Sequence, residues 1–281
     1  MMKKNTLLAL GVVSAISFGV SSSTFAADDA HSTPQPPRLS WTFAGPFGHF
    51  DKAQIQRGFK VYREVCQSCH SMKLVAFRTL GQSGALGFSE GQVRAIAAEY
   101  QINDGPNDRG EMFQRPGRPS DYFPLIYPNE QAARATHNGA LPVDFSVIAK
   151  ARTYEVGFPG FLIDIVRQYQ ENGVDYIHAL LTGYAKAPEG FEISQTQFYN
   201  KYFPGHRIAM RPPLEDNRVE YTDGTPQTVD QYARDVAAFL MWAAEPHLEA
   251  RKRIGFQVMI FLIVFAGLAY FTKKKVWADA H

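Results

Sequence analysis

Apolar residues recur at helical spacing in two well-separated stretches. Ile55, Phe59 and Tyr62 fall at i, i+4 and i+7 behind Asp51-Lys-Ala-Gln54, which has the form of a capping box. Val229, Tyr232, Val236, Phe239 and Leu240 form a second apolar face behind Thr228-Val-Asp-Gln231, and Glu245-Pro246 closes it. Shorter helical patterns cover Val93 to Tyr100 and Phe161 to Tyr169. Two runs are apolar on every side: Leu7 to Val20, and Ile254 to Thr272 with no charge inside it. Period-two alternation is scarce. The pattern predicts a mainly α-helical domain with long loop-rich insertions and one C-terminal transmembrane helix.

The two apolar runs divide the chain. Lys3 and Lys4 precede the first, and Thr24-Phe25-Ala26 follows it as a small-x-small site, so residues 1–26 read as a secretory signal. The second is long enough to cross a bilayer, at about 1.5 Å per helical residue against a hydrocarbon core of about 30 Å. Arg251 to Arg253 and Lys273 to Lys275 flank it equally, so cation counts do not orient it, and the clusters are expected to reach lipid phosphates. The signal does orient it: residues 27–250 become a periplasmic domain, 251–275 an anchor with basic flanks, and 276–281 a cytoplasmic tail. The expected location is a bacterial inner membrane, crossed once.

This division changes the reading of charge. The whole chain carries +2, but the eight cations at its ends and Asp279 lie outside the ectodomain. That leaves 21 basic residues against 26 acidic ones, a net −5. An acidic face suits a basic diffusing partner, and nucleic acid is not an expected one.

Cys66-Gln-Ser-Cys69-His70 ends the first helical pattern and contains both cysteines of the chain. C-x-x-C-H is the attachment signature of a c-type haem: two thiols a turn apart add to the vinyl groups, and the histidine supplies an axial nitrogen. A thioredoxin-like motif would follow a strand rather than a helix, and a zinc site would need a second cysteine pair. Single-haem domains of this type pack the helix before the motif across a C-terminal helix, and Gly58 would permit close approach there. An electron-carrying haem is six-coordinate, and methionine opposite histidine raises its potential. Met1, Met2, Met72, Met241 and Met259 lie in the signal, beside His70, in a helix or in the span. Met210, stiffened by Pro212-Pro213, is favoured over Met112. His137, His178 and His206 remain alternatives.

The motifs then extend along nearly the whole chain. They include Arg57-Gly-Phe-Lys-Val-Tyr62, Asp104-Gly-Pro-Asn107, Gly110-Glu-Met-Phe113, Ser120-Asp-Tyr-Phe-Pro124, Asn138-Gly-Ala-Leu-Pro142, Leu181-Thr-Gly-Tyr184, Tyr202-Phe-Pro-Gly205, Asp223-Gly-Thr-Pro226 and Trp242-Ala-Ala-Glu-Pro246. In these the chain resembles the cytochrome c1 family, the haem subunit of quinol–cytochrome c reductase. The resemblance implies one covalent haem c, His70 and Met210 as iron ligands, and haem-pocket roles for Arg152, Tyr176, Arg134 and Pro142. It implies an electron relay rather than an enzyme on its own. The electron comes from a Rieske iron–sulfur protein and goes to a periplasmic c-type cytochrome, within a dimeric respiratory complex that includes cytochrome b. Another membrane-anchored c-type carrier, a haem enzyme with an open iron face, and a thiol oxidoreductase are the rival classes. Two departures stand out: Val143 where the family commonly has a second proline, and His137 where asparagine is common. With no further cysteine, the connection from Phe191 to Met210 is expected to hold by packing alone.

Overall fold

The computed structural model describes residues 34–278 except 83, 155, 168 and 170. The signal at residues 1–26 and the far end of the tail, including Asp279, lie outside the described residues. Eight α-helices are present among them: α1 (Lys52–Glu64), α2 (Glu90–Ala98), α3 (Glu130–Thr136), α4 (Ile148–Ala151), α5 (Gly160–Arg167), α6 (Asn172–Thr182), α7 (Val229–Ala244) and α8 (Leu248–Val276). Strand is confined to two antiparallel pairs, β1 (Gln101–Asp104) with β2 (Phe113–Pro116) and β3 (Phe198–Tyr199) with β4 (Arg207–Ile208).

The organising element is α7, which packs against α1, α4 and α6. Tyr232, Val236, Phe239, Leu240 and Trp242 are essentially inaccessible, and Phe239 lies 5.4 Å from the ring of Phe59 and 5.7 Å from that of Tyr62. The α1–α7 crossing is unusually close. A Cβ on Gly58 would sit 2.0 Å from the carbonyl oxygen of Asp235, so only glycine fits. Around that contact, Arg57 donates to the fully buried Asp235 at 2.9 Å and to Asp223 at 2.8 Å. A buried carboxylate needs such a partner to offset its desolvation.

Helix starts differ in detail from the sequence pattern. Asp51 accepts from the amides of Ala53 and Gln54, and Thr228 from that of Gln231. The reciprocal half of the box at Gln231 is missing, because its side chain donates to Asp235 at 2.8 Å instead. The complete capping box is at Ser89 and Gln92, which starts α2 three residues before Val93. The pattern also overlooked α3, α4 and α6. The last is the largest omission: α6 buries Asp175 and His178 along with its apolar residues, so polar positions do not mark an outer face.

At the other end, α8 runs for 29 residues, and none of its most apolar stretch is buried. At about 1.5 Å per residue it measures roughly 44 Å, long enough to cross a hydrocarbon core of about 30 Å with its basic ends outside. The cluster at its start is less free than its charges predict. Lys252 donates to the carbonyls of Phe43 and Gly48, and Arg251 pairs with Glu245, which Lys150 also engages at 2.7 Å. These cations tie the helix to the domain above it rather than to lipid phosphate.

Candidate functional site: the Cys66–His70 turn and its surroundings

The attachment turn grows directly out of α1. Residues 66–68 tighten into a 3-10 turn, and the amide of His70 donates back to the carbonyl of Cys66 at 3.0 Å. Both cysteines are unbridged. Cys66 is half-buried as a residue, and burial of its sulfur, with Cys69 adding to it, pushes its thiol up to about 12. The two sulfurs are not joined to each other as a disulfide.

A second segment fixes the histidine. Residues 143–146 lie along residues 70–74, through Phe145 N to Ser71 O at 2.8 Å, Lys73 N to Asp144 at 3.1 Å and Leu74 N to Ser146 at 3.0 Å. Within that seam His70 Nδ1 bonds the carbonyl of Val143 at 2.8 Å, which makes Nδ1 the protonated nitrogen and leaves Nε2 with its lone pair. The imidazole stacks on Phe145 with centroids 4.0 Å apart, and Tyr62 donates to the His70 carbonyl at 3.2 Å. Burial draws the imidazole below its usual range despite the carbonyl contact, so it stays neutral, as a metal ligand must. Phe145 and the Val143 carbonyl carry no sequence signal of their own. The departure at 143 is harmless here because the backbone, not the side chain, makes the contact.

His137 belongs to the same side. Its Nε2 and the Tyr127 hydroxyl share a hydrogen bond of 2.7 Å, and Tyr127 in turn neighbours Cys69. Arg134 is exposed and donates to Gly139 at 3.0 Å, which shapes the loop leading to the half-buried Pro142.

Met210 sits in a different loop, half-buried, with its carbonyl accepting from Tyr184 at 3.1 Å. Burial raises the Tyr184 hydroxyl, and Tyr176 raises it further. Burial raises Tyr176 as well, against the opposing charge of nearby Arg152. Arg152, Tyr176, Tyr184 and Met210 are thus neighbours in series. The loop is not held by packing alone. The β3–β4 pairing, a stack of Tyr199 on His206 at 5.4 Å and Arg207 over Phe191 at 4.7 Å all close it.

The other candidates are committed elsewhere. Met112 is 67% exposed beside the β1–β2 hairpin, His178 bonds Asp230 at 3.0 Å, and His206 bonds the Asn200 carbonyl at 3.0 Å. A wide groove beyond Gln67, between α1, α2 and residues 220–223, takes in none of the predicted ligands, and its cations are paired with Asp223, Glu64 and Glu99.

The residues at the turn suit a covalently held haem: two free thiols, a neutral imidazole with one nitrogen tied and the other open, and aromatic packing behind it. A mainly helical domain built this way, joined to one long apolar helix, is a membrane-anchored c-type cytochrome. The Cytochrome C1 family model matches residues 41–280. Cytochrome c1 of Blastochloris viridis is 52% identical over 94% of this chain and 93% of its own length. Cytochrome c1 of Rhodospirillum rubrum is 40% identical over 98% and 97%. A protein of Bradyrhizobium diazoefficiens named cytochrome b/c1 is 60% identical over 88% of this chain, which spans only 36% of that protein. The chain belongs to the cytochrome c1 family. Its members carry one covalent haem c and transfer electrons as a subunit of the cytochrome bc1 complex, beside cytochrome b, without being enzymes on their own.

Proposed function

We propose that this chain relays single electrons from a Rieske iron–sulfur protein to a basic periplasmic c-type cytochrome, inside a dimeric bc1 complex of a bacterial inner membrane. Cys66 and Cys69 form the thioethers, and His70 Nε2 and Met210 are the axial ligands. Bound there, the haem supplies one-electron chemistry, its iron alternating between ferric and ferrous states. The single observation that carries the reading is the His70 ring, neutral, stacked on Phe145 and tied through Nδ1 to Val143, beside two unbridged thiols. A ligand held on two sides does not reorganise when charge changes, which suits a relay.

The chain's residues divide the remaining work. Arg152 places a permanent cation beside Tyr176, the arrangement that suits a haem propionate. Arg134 stands as the alternative propionate partner, and Pro142 would be a further haem-pocket residue. Residues 1–26 direct export and are removed, residues 27–250 stay periplasmic, 251–275 anchor the domain, and 276–281 end in the cytoplasm. The whole described domain precedes α8, so it lies on one side of the span, and the export signal is what assigns that side to the periplasm.

The test is Met210→Leu in the membrane complex, with a redox titration and optical spectra. The potential should fall by on the order of a few tenths of a volt, within the ~0.8 V that axial ligands span. The ferric low-spin signature should be lost, and carbon monoxide should bind the reduced form. An unchanged potential would move the ligand to Met112, and fast carbon monoxide binding by the unaltered protein would argue for a haem enzyme.

A further inference from the structure

The loop from Trp41 to Phe50 is built around the head of α8. Trp41 stacks on Phe43 at 5.3 Å, and Phe43 packs at a tilt on Phe50 at 5.0 Å, giving the loop a buried aromatic base. It then turns sharply: Gly45 has φ +71, and a Cβ on Gly48 would lie 2.2 Å from the carbonyl oxygen of Ala44. Lys252 closes the turn by donating to Phe43 O and Gly48 O. Held at the tip is Phe47, 75% exposed, whose ring meets Phe256 edge-on at 5.6 Å.

That contact sets a depth. Phe256 lies inside the uncharged run Ile254 to Thr272 and about 6 Å along the helix from Lys252. An interfacial aromatic group sits about 5–10 Å into the headgroup and acyl boundary. A rigid turn that holds a bare phenylalanine against a residue of the span places that ring in the same layer.

We propose that the Gly45–Gly48 loop is an interfacial wedge: Phe47 inserts into the lipid boundary on the haem-domain side. With Lys252 holding the same turn to α8, this contact limits the tilt of the haem domain over the bilayer. Continuity with the span, through Phe47 on Phe256, is what assigns lipid rather than a protein as the occupant. The inference rests on α8 being the membrane span.

The test uses the intact membrane complex with Phe47 replaced by photoreactive p-benzoylphenylalanine, irradiated in native membranes, and the adducts read by mass. The same replacement at Phe256 reports the span, and at Phe113 the water-exposed hairpin. A phospholipid adduct at position 47, as at 256 and unlike 113, is the expected result. An adduct with another subunit, or none, overturns the wedge. Loss of the lipid adduct at 256 itself identifies failure of the span assignment instead. Covalent haem staining and an unaltered spectrum verify each variant's fold, and replacement at Pro46 serves the same reading if the variant at 47 does not assemble.

Discussion

His70 illustrates how little of a ligand's behaviour resides in its own side chain. Its identity follows from C-x-x-C-H, but its tautomer comes from a carbonyl 73 residues later and its ring plane from Phe145. Met210 depends on Tyr184 in the same way. Tyr184→Phe removes the hydrogen bond to the Met210 carbonyl, a loss of about 1 kcal/mol. If that bond holds the loop closed, opening becomes easier by about fivefold. Cyanide, which must displace the methionine, should then bind the ferric protein about fivefold more tightly, with the spectrum of the unliganded form unchanged. Equal cyanide affinity in the two proteins would show that the tyrosine does not restrain the loop. Phe145 carried no signal, and Tyr184 stood in the Leu181-Thr-Gly-Tyr184 motif without a role, because neither residue type by itself shows which distant group it meets.

At the scale of elements, α1 was legible because its apolar stripe shows beside a partly exposed face, and α7, though buried along most of its length, because its large apolar residues keep helical spacing behind a recognisable cap. The cost of spoiling their crossing should be plain. Gly58→Val forces the helices apart against the Asp235 carbonyl, where an added Cβ has 2.0 Å. Overpacking of this kind costs ~1–3 kcal/mol, and each kcal/mol lowers Tm by about 2–4 °C in a domain of this size. Gly91→Ala in α2 is the contrast: its Cβ would meet Ser89 Oγ at 3.9 Å, an ordinary contact, so the melting temperature should hold or rise. A thermal melt followed in the far ultraviolet distinguishes the two. The helix α6 was illegible for the reason that makes it useful. Packed on α4 and α7, with no room for a Cβ at Gly173, it buries polar as well as apolar residues and presents Tyr176 from inside the domain.

At the scale of the molecule, charge and tether act together. The ectodomain's excess of acidic residues should speed encounter with a cationic acceptor. Raising ionic strength from 0.01 to 0.15 M shortens the Debye length from about 30 to about 8 Å. Stopped-flow oxidation of the reduced complex by a basic cytochrome should therefore slow by roughly tenfold or more. A rate insensitive to salt would remove electrostatic steering from the account. The tether is less simple than a helix with charged ends, because Lys252 and Arg251 are spent on joining that helix to the domain.

The sequence by itself determined the C-x-x-C-H turn, its histidine, the apolar helix, the two principal helices and the family, since each depends on residues close together in the chain or on a pattern along it. Tertiary structure decided which nitrogen of His70 is open, what holds the Met210 loop, how Arg152 and Tyr176 come to lie beside it, and where the basic cluster at the start of α8 points. Those outcomes depend on backbone carbonyls and on side chains brought together from distant segments. A carbonyl is the same at every position, so only the fold can say which one a side chain meets.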